Sequence, residues 1–176
     1  MGPDVFEPDV AAWVGRDGLS VDRDASSGRV VVQDSGGEIR FFLNSLPGGS
    51  ITVTKSERSG TEQWECDLAS TDALNHYFVE LCGNSVRLRE GLPGRLTFSI
   101  RMADIAPHAS LRVVPGFENE ELRREELTLN GSVVGVFKAW GSDSHWGVKA
   151  SQYCSVSVKV LMDAYLSGDG APFGLR

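Results

Sequence analysis

Residues 51–82, ITVTKSERSGTEQWECDLASTDALNHYFVELC, decide the fold class, because the spacing of the apolar side chains changes inside them. Ile51 and Val53 alternate with threonines, which is the period of a strand that buries one face. After the turn at Ser59-Gly60 the alternation resumes, with apolar positions at Trp64, Cys66 and Leu68. We therefore predict two antiparallel strands with a polar outer face.

From residue 70 onward the apolar side chains are spaced as on one side of a helix. They are Leu74, Tyr77, Phe78, Leu81 and Cys82. Ser70 or Asp72 can cap the first turn, and Gly83 stands where a helix commonly ends. We predict a helix over 71–82 that covers the strands before it.

Upstream of this stretch, the same rules predict a short helix and two more strands. The helix over 8–14 begins at a proline and is followed by a glycine. Residues 29–33 and 38–43 are predicted to be strands, because apolar residues dominate one run and alternate along the other. The sequence Leu46-Pro47-Gly48-Gly49 then turns the chain toward residue 51.

Downstream, the clearest signal is Asn130-Gly131 between two β-rich runs, since both residues tolerate the positive φ angles of a type I′ hairpin. Residues 96–100 alternate as a strand. Residues 140–147 are predicted to be a loop and residues 151–166 a helix, although the alternating valines of the latter also fit a strand.

These patterns predict one α+β domain over residues 1–176, with a mostly antiparallel sheet covered by the helices at 71–82 and 151–166. The tail from about residue 168 is rich in glycine, and we expect it to be loose.

The chain is acidic, with 17 lysines and arginines against 24 aspartates and glutamates and a formal net charge of -7. Binding to nucleic acid depends on clustered positive charge, so no nucleic acid partner is expected. The charge attracts a basic protein partner or simply keeps the chain soluble. Neither a membrane span nor a secretion signal is present in the sequence, so we expect a cytoplasmic protein without membrane contact.

The cysteines and histidines do not suggest a metal or a redox site. The cysteines are Cys66, Cys82 and Cys154, too widely spaced for a paired motif, and we expect them to be reduced and buried. The histidines are His76, His108 and His145, whose separations match no zinc pattern. His76 falls opposite the apolar side of its helix, which predicts a surface histidine. No metal and no cofactor are expected.

Two arrangements could support catalysis. Cys154 and His145 are the nearest thiol and imidazole pair, but a thiol on an apolar helix is usually a small buried hydrophobe. Glu57, Glu62 and Glu65 flank one turn and could serve a small cytoplasmic hydrolase as acid and base, although such charges also keep a sheet face soluble. The sequence has no nucleophile elbow and no phosphate-binding loop. We predict that the protein is not an enzyme, with the hydrolase as the alternative.

The best candidate contact surface is a loop of glycine, serine and aspartate that carries Trp140 and Trp146. Tryptophan is enriched at the centres of protein interfaces, and Asp143 and His145 would add polar contacts. The alternative is that both indole rings fold back into the core. A second candidate edge is the turn Leu46-Pro47-Gly48.

Several short motifs resemble a known family. They are Gly36-Gly37-Glu38-Ile39-Arg40, Ser56-Glu57-Arg58, Glu62-Gln63-Trp64-Glu65, Asn84-Ser85-Val86-Arg87, Gly91-Leu92-Pro93 and Leu127-Thr128-Leu129-Asn130-Gly131. Over residues 8–165 the chain is similar to the immunity proteins encoded beside secreted actinobacterial toxins. In particular, it resembles the mycobacterial immunity factors for the tuberculosis necrotizing toxin, an NAD-glycohydrolase.

The resemblance implies a cytoplasmic antitoxin. Such a protein binds a cognate NAD-glycohydrolase toxin domain, with 1:1 stoichiometry, and blocks its NAD-binding cleft before the toxin is exported. The resemblance brings no catalytic residues and no mapped contact residues, so the predicted contact residues depend on the tryptophan loop and the turn at residue 46. A further alternative is a ligand-binding or scaffold domain without a toxin partner.

Overall fold

Nine strands and four α-helices lie in the part of the chain that the computed structural model describes, residues 5–58, 60–117 and 122–175. The strands are β1 (Leu19–Arg23), β2 (Val30–Asp34), β3 (Ile39–Ser45), β4 (Ile51–Glu57), β5 (Gln63–Leu68), β6 (Ala109–Val113), β7 (Leu122–Leu129), β8 (Ser132–Trp140) and β9 (Ser144–His145). The helices are α1 (Pro8–Arg16), α2 (Thr71–Arg89), α3 (Trp146–Tyr153) and α4 (Val158–Leu166), and one 3-10 turn covers Met102–Asp104.

The strands form one antiparallel sheet in the order β1-β2-β3-β4-β5-β8-β7-β6, with β9 paired to the end of β8. Strands β2 to β5 are neighbours in sequence and in space, as the alternation between residues 29 and 68 predicts. Asn130 and Gly131, with φ angles of 51° and 79°, join β7 to β8 in the predicted hairpin. The predicted α+β domain with a mostly antiparallel sheet is confirmed.

The core lies between the sheet and the helices. Phe78 of α2 is fully buried and meets the ring of Phe41 in β3 edge to face, with a centroid distance of 5.8 Å. Phe6 packs on the ring of Phe78 at 4.9 Å, and Trp13 of α1 donates its Nε1 proton to the carbonyl of Val79 at 3.2 Å. Each buried side chain of this size stabilises the fold by about 1.5–3 kcal/mol.

Helix α2 runs past Gly83, where the sequence pattern predicts its end, and continues to Arg89. Gly83 is buried inside the helix, and the ring of Tyr165 from α4 lies directly against its Cα. A Cβ at this position would overlap that ring. The glycine is therefore needed for close packing between α2 and α4. This tertiary contact, and not the end of the helix, explains why residue 83 is a glycine.

Arg87 is fully buried near the end of α2. Its guanidinium donates to five backbone carbonyls, those of Pro93, Gly94, Tyr165, Ser167 and Gly168. These bonds fasten the loop after α2 and the end of α4 to one side chain. The motif that contains Arg87 and the motif that contains Pro93 therefore have a structural role in this fold.

The segment predicted as a single helix over 151–166 belongs to two helices. α3 ends at Tyr153, and α4 begins at Val158. The hydroxyl of Ser157 caps α4 by accepting from the amide of Val160 at 3.3 Å. In the connection between the two helices, the carbonyl of Val156 lies 2.8 Å from Nε2 of His76. His76 is only 3% exposed, so the prediction of a surface histidine is wrong.

The segment predicted as a strand over 96–100 forms only an isolated bridge, between Leu96 and Leu175. The ring of Phe173 also packs on Phe98 at 5.0 Å. The tail from residue 168, which its glycines predict to be loose, supplies Phe173 and Leu175 to this side of the core.

Two edge strands have no clear sequence signal. β1 and β6 lie at the two ends of the sheet, and their apolar residues are only half buried. Across the described residues, no helix combines the length and the apolar character needed to cross a membrane.

Candidate partner-binding surface

Trp140 and Trp146 both lie at the surface, at the two ends of a short connection. Trp140 is the last residue of β8 and is 56% exposed, and Trp146 is the first residue of α3 and is 44% exposed. The exposed turn Gly141–Asp143 follows Trp140, and β9 then returns along β8. The predicted loop over 140–147 is therefore a turn, a short strand and a helix start. The indole rings do not fold back into the core.

His145 anchors this turn from the inside. Its Nδ1 atom lies 2.8 Å from the Glu125 carboxylate and its Nε2 atom 2.9 Å from the carbonyl of Ser142. Arg123 donates to the carbonyl of Gly141. Both ring nitrogens of His145 thus lie within hydrogen-bond distance of an oxygen atom.

His145 and Glu125 are both buried beneath the turn. His145 is 5% exposed and Glu125 3% exposed. The imidazole, predicted as a polar contact to a partner, is thus directed into the protein in this arrangement. Its observed contacts position the turn that separates the two tryptophans.

A groove opens beside the tryptophans, where β5 parts from β8. The two strands pair at three positions only, from Leu68 opposite Gly135 to Cys66 opposite Phe137. Beyond Phe137, β9 takes the place of β5 along β8. The space left between these strands and helices α2 and α3 encloses about 260 Å³.

We call this space the tryptophan groove. Apolar side chains of the sheet and of both helices line it: Phe41, Tyr77, Leu81, Phe137, Trp140, Trp146 and Tyr153. Ion pairs also lie along it, since Nζ of Lys138 is 3.0 Å from the Glu65 carboxylate and Nζ of Lys149 is 2.7 Å from that of Glu80. Lys149 also sits 5.1 Å from the centre of the Trp146 ring, in a cation–π contact.

The second candidate edge lies elsewhere. The turn Leu46-Pro47-Gly48 is exposed, with Leu46 42% accessible, and it joins the paired ends Ser45 and Ile51. Ile51 is opposite Leu68, which is opposite Gly135. From Gly135 to Trp140, strand β8 advances by about 17 Å away from the end of the sheet where this turn lies. The two candidate segments therefore lie at opposite ends of the sheet and form separate patches.

Comparison with known proteins identifies the family. The family model for Immunity protein 61 matches residues 13–173, which include the sheet, the tryptophan turn and the groove. The chain belongs to this family. This membership confirms the resemblance to toxin-immunity proteins and supports an antitoxin role.

Individual relatives of this immunity protein 61 member agree with that assignment. It is 27% identical over 168 residues to the immunity factor for TNT of Mycobacterium tuberculosis, an alignment that covers 93% of this chain and 89% of the relative. The immunity factor for TNT homolog of Mycobacterium bovis matches with the same identity and coverage. The solved structure of Rv3902c from M. tuberculosis superposes with a TM-score of 0.78 at 27% identity, and covers 97% of this chain and 94% of that one.

The glutamates considered for a hydrolase are tied to positive side chains in this immunity protein. Glu62 accepts from Arg29 at 2.6 and 2.9 Å and from Thr54 at 2.7 Å, and the bond from Arg29 is the main cause that lowers the pKa of Glu62. A hydrogen bond from Lys55 lowers the pKa of Glu57. A general acid needs a raised pKa, so these shifts have the sign opposite to the one such catalysis requires.

The thiol and imidazole pair also lacks the features of a nucleophilic site. Burial raises the pKa of the Cys154 thiol, whereas a nucleophilic cysteine needs a lowered one. Cys66 and Cys82 are buried as predicted, while Cys154 is half buried, and all three are free thiols. No cluster of metal-ligating side chains is found within the described ranges.

Sequence reasoning missed Glu125 and the groove lysines. Glu125 shares the inward-facing alternation of Leu127 and Leu129 in β7, and a charge in that register signals a buried partner. Lys138 and Lys149 carry no such local signal. They meet their carboxylates only because β5 and β8 pair and α3 packs near α2.

Proposed function

We propose that this immunity protein is a cytoplasmic antitoxin that binds a cognate NAD-glycohydrolase toxin domain, one to one, and covers its NAD-binding cleft. The observation that carries the proposal is an exposed pair of tryptophans beside an apolar groove, on a chain of the immunity protein 61 family. The relatives named immunity factor for TNT support the choice of toxin class.

Inhibition of this kind needs no chemistry in the antitoxin. An enzyme that cleaves a dinucleotide must hold it in a concave site, and a protein that occupies the mouth of that site excludes the substrate. Tight protection requires an interface near the standard size of about 1,600 Å² with a few dominant anchors. Trp140 and Trp146 are the proposed anchors, with Asp143 as an exposed polar contact.

The proposed role of His145 is indirect, because it positions the turn between the two tryptophans. Because its ring binds Glu125 and the carbonyl of Ser142, it holds the two tryptophans at a fixed separation in the free protein. Anchors that are already in place lose less conformational entropy on binding. The turn Leu46-Pro47-Gly48 is a separate second contact, which only a partner that spans the sheet can reach.

The test uses the proposed cognate NAD-glycohydrolase toxin domain. Replacing Trp140 and Trp146 together by Ala removes both anchors, and each is expected to weaken binding by about 2 kcal/mol or more. Leu88→Ala is the control, because Leu88 is 76% exposed but does not line the groove. Unchanged inhibition by the folded double variant contradicts the role of the tryptophans, and Leu46→Ala, measured in the same assay, tests the second contact.

A further inference from the structure

The tryptophan groove contains an open strand edge. β5 begins at Gln63, but its pairing with β8 ends at Cys66, and β9 occupies the next part of the β8 edge. Gln63 and Trp64 therefore pair with β4 on one side, and Glu65 forms a β-bulge between Trp64 and Cys66. No strand of the described chain pairs with residues 63–65 on the other side. An unpaired edge exposes backbone N–H and C=O groups that can receive another strand.

Apolar side chains are concentrated beside this edge. Leu81, Trp140 and Trp146 are three of the large hydrophobic residues that stay exposed in the described structure, and all three line the groove. Leu81 is 37% exposed on α2, close to the buried aromatic residues of the groove. An extended segment placed along the edge can therefore bury one apolar side chain against α2.

The charge of the groove differs from that of the whole chain. Its lining includes the lysines Lys55, Lys138 and Lys149 and the glutamates Glu65 and Glu80, an excess of one positive charge, whereas the chain as a whole carries -7. Lys138 and Lys149 are paired with the two glutamates.

Lys55 is paired differently. Its carboxylate partner, Glu57, is 63% exposed. A surface pair of this kind contributes little to stability, so Lys55 can accept a new carboxylate at low cost. Since Lys55 is opposite Gln63 in the sheet, that carboxylate would arrive at the open edge.

We propose that the tryptophan groove receives an extended segment of the toxin, which pairs with the edge of β5 at residues 63–65. The segment places an apolar side chain beside Leu81 and an acidic side chain at Lys55. This inference rests on the proposed function, since it specifies which part of the toxin meets the tryptophans. In strand addition the main-chain hydrogen bonds provide affinity and the side-chain pockets provide specificity.

The matched test uses one substitution at two positions of α2. Leu81→Glu places a charge inside the groove, and Leu88→Glu places the same charge on the same helix outside it. Titration with the proposed cognate toxin domain is expected to show affinity at least about tenfold weaker for Leu81→Glu and within about twofold of wild type for Leu88→Glu. Circular dichroism and thermal melting verify that each variant is folded.

Two further measurements keep the proposal testable if Leu81→Glu does not fold. Lys55→Gln is expected to weaken binding more than Lys159→Gln, a control in which the lysine also pairs with an exposed carboxylate, that of Asp163. Hydrogen exchange of the wild-type complex is expected to show slower exchange of the backbone amides at 63–65. Equal affinities and unchanged exchange in a complex that still inhibits the toxin overturn the groove proposal alone. Absence of wild-type binding overturns the proposed function instead.

Discussion

Nδ1 of His145 lies 2.8 Å from the carboxylate of Glu125, and both side chains are buried. The two residues come from β9 and from the inward face of β7, on either side of β8. Their contact determines where the turn between Trp140 and Trp146 sits. The exposed surface that we propose for toxin binding therefore depends on a polar pair beneath it.

Glu125→Ala is expected to destabilise the protein by about 1–3 kcal/mol, because it leaves a buried imidazole N–H without its acceptor. Glu126→Ala is the control, since Glu126 is the next residue of β7 and pairs with Arg112, whose side chain is 73% exposed. That change should cost at most about 1 kcal/mol. Urea denaturation measures the free energy of unfolding of both variants. Equal losses would show that the contact between Glu125 and His145 stabilises the fold no more than an exposed ion pair does.

Gly83→Ala is expected to destabilise the protein by about 1–3 kcal/mol, because the new Cβ overlaps the ring of Tyr165 and separates α2 from α4. Gly15→Ala in α1 should have the opposite sign and stabilise by at most about 1 kcal/mol, since nothing lies within 4 Å of a Cβ there. Melting temperatures of the two variants test this. A gain in stability at Gly83 would contradict the packing described for α2 and α4.

Burial raises the pKa of the thiols of Cys66, Cys82 and Cys154. A raised pKa keeps the thiol protonated below that pKa, so all three should resist iodoacetamide at mildly alkaline pH in the native state and react once urea unfolds the chain. Replacing all three by Ala should cost about 1–3 kcal/mol through lost packing and leave toxin inhibition intact. Mass spectrometry counts the modified thiols. Rapid modification of a native thiol, or loss of inhibition at unchanged stability, would show a functional cysteine.

The parts of the fold that depend on neighbouring residues could be predicted from the sequence. The alternation around Val53 and Cys66 gives the sheet, and Asn130-Gly131 gives the hairpin, because each signal is local. The prediction that α2 ends at Gly83 is wrong, because the glycine is required by the ring of Tyr165, a residue of another helix.

The same distinction applies to the candidate site. Trp140 and Trp146 are visible in the sequence as aromatic residues in a polar segment, but their exposure is known only from the structure. The tryptophan groove depends on where β5 stops pairing with β8, a register between residues about seventy positions apart that no local pattern encodes. The buried state of His145 has the same origin, since Glu125 reaches it across the sheet.

The most direct measurement is NAD hydrolysis by the proposed cognate toxin domain, titrated with the purified immunity protein. We predict that hydrolysis falls linearly and stops at one equivalent, because a one-to-one complex covers the cleft. The immunity protein alone should leave NAD intact. Hydrolysis that persists at excess immunity protein, or consumption of NAD by the immunity protein itself, would contradict the proposed function.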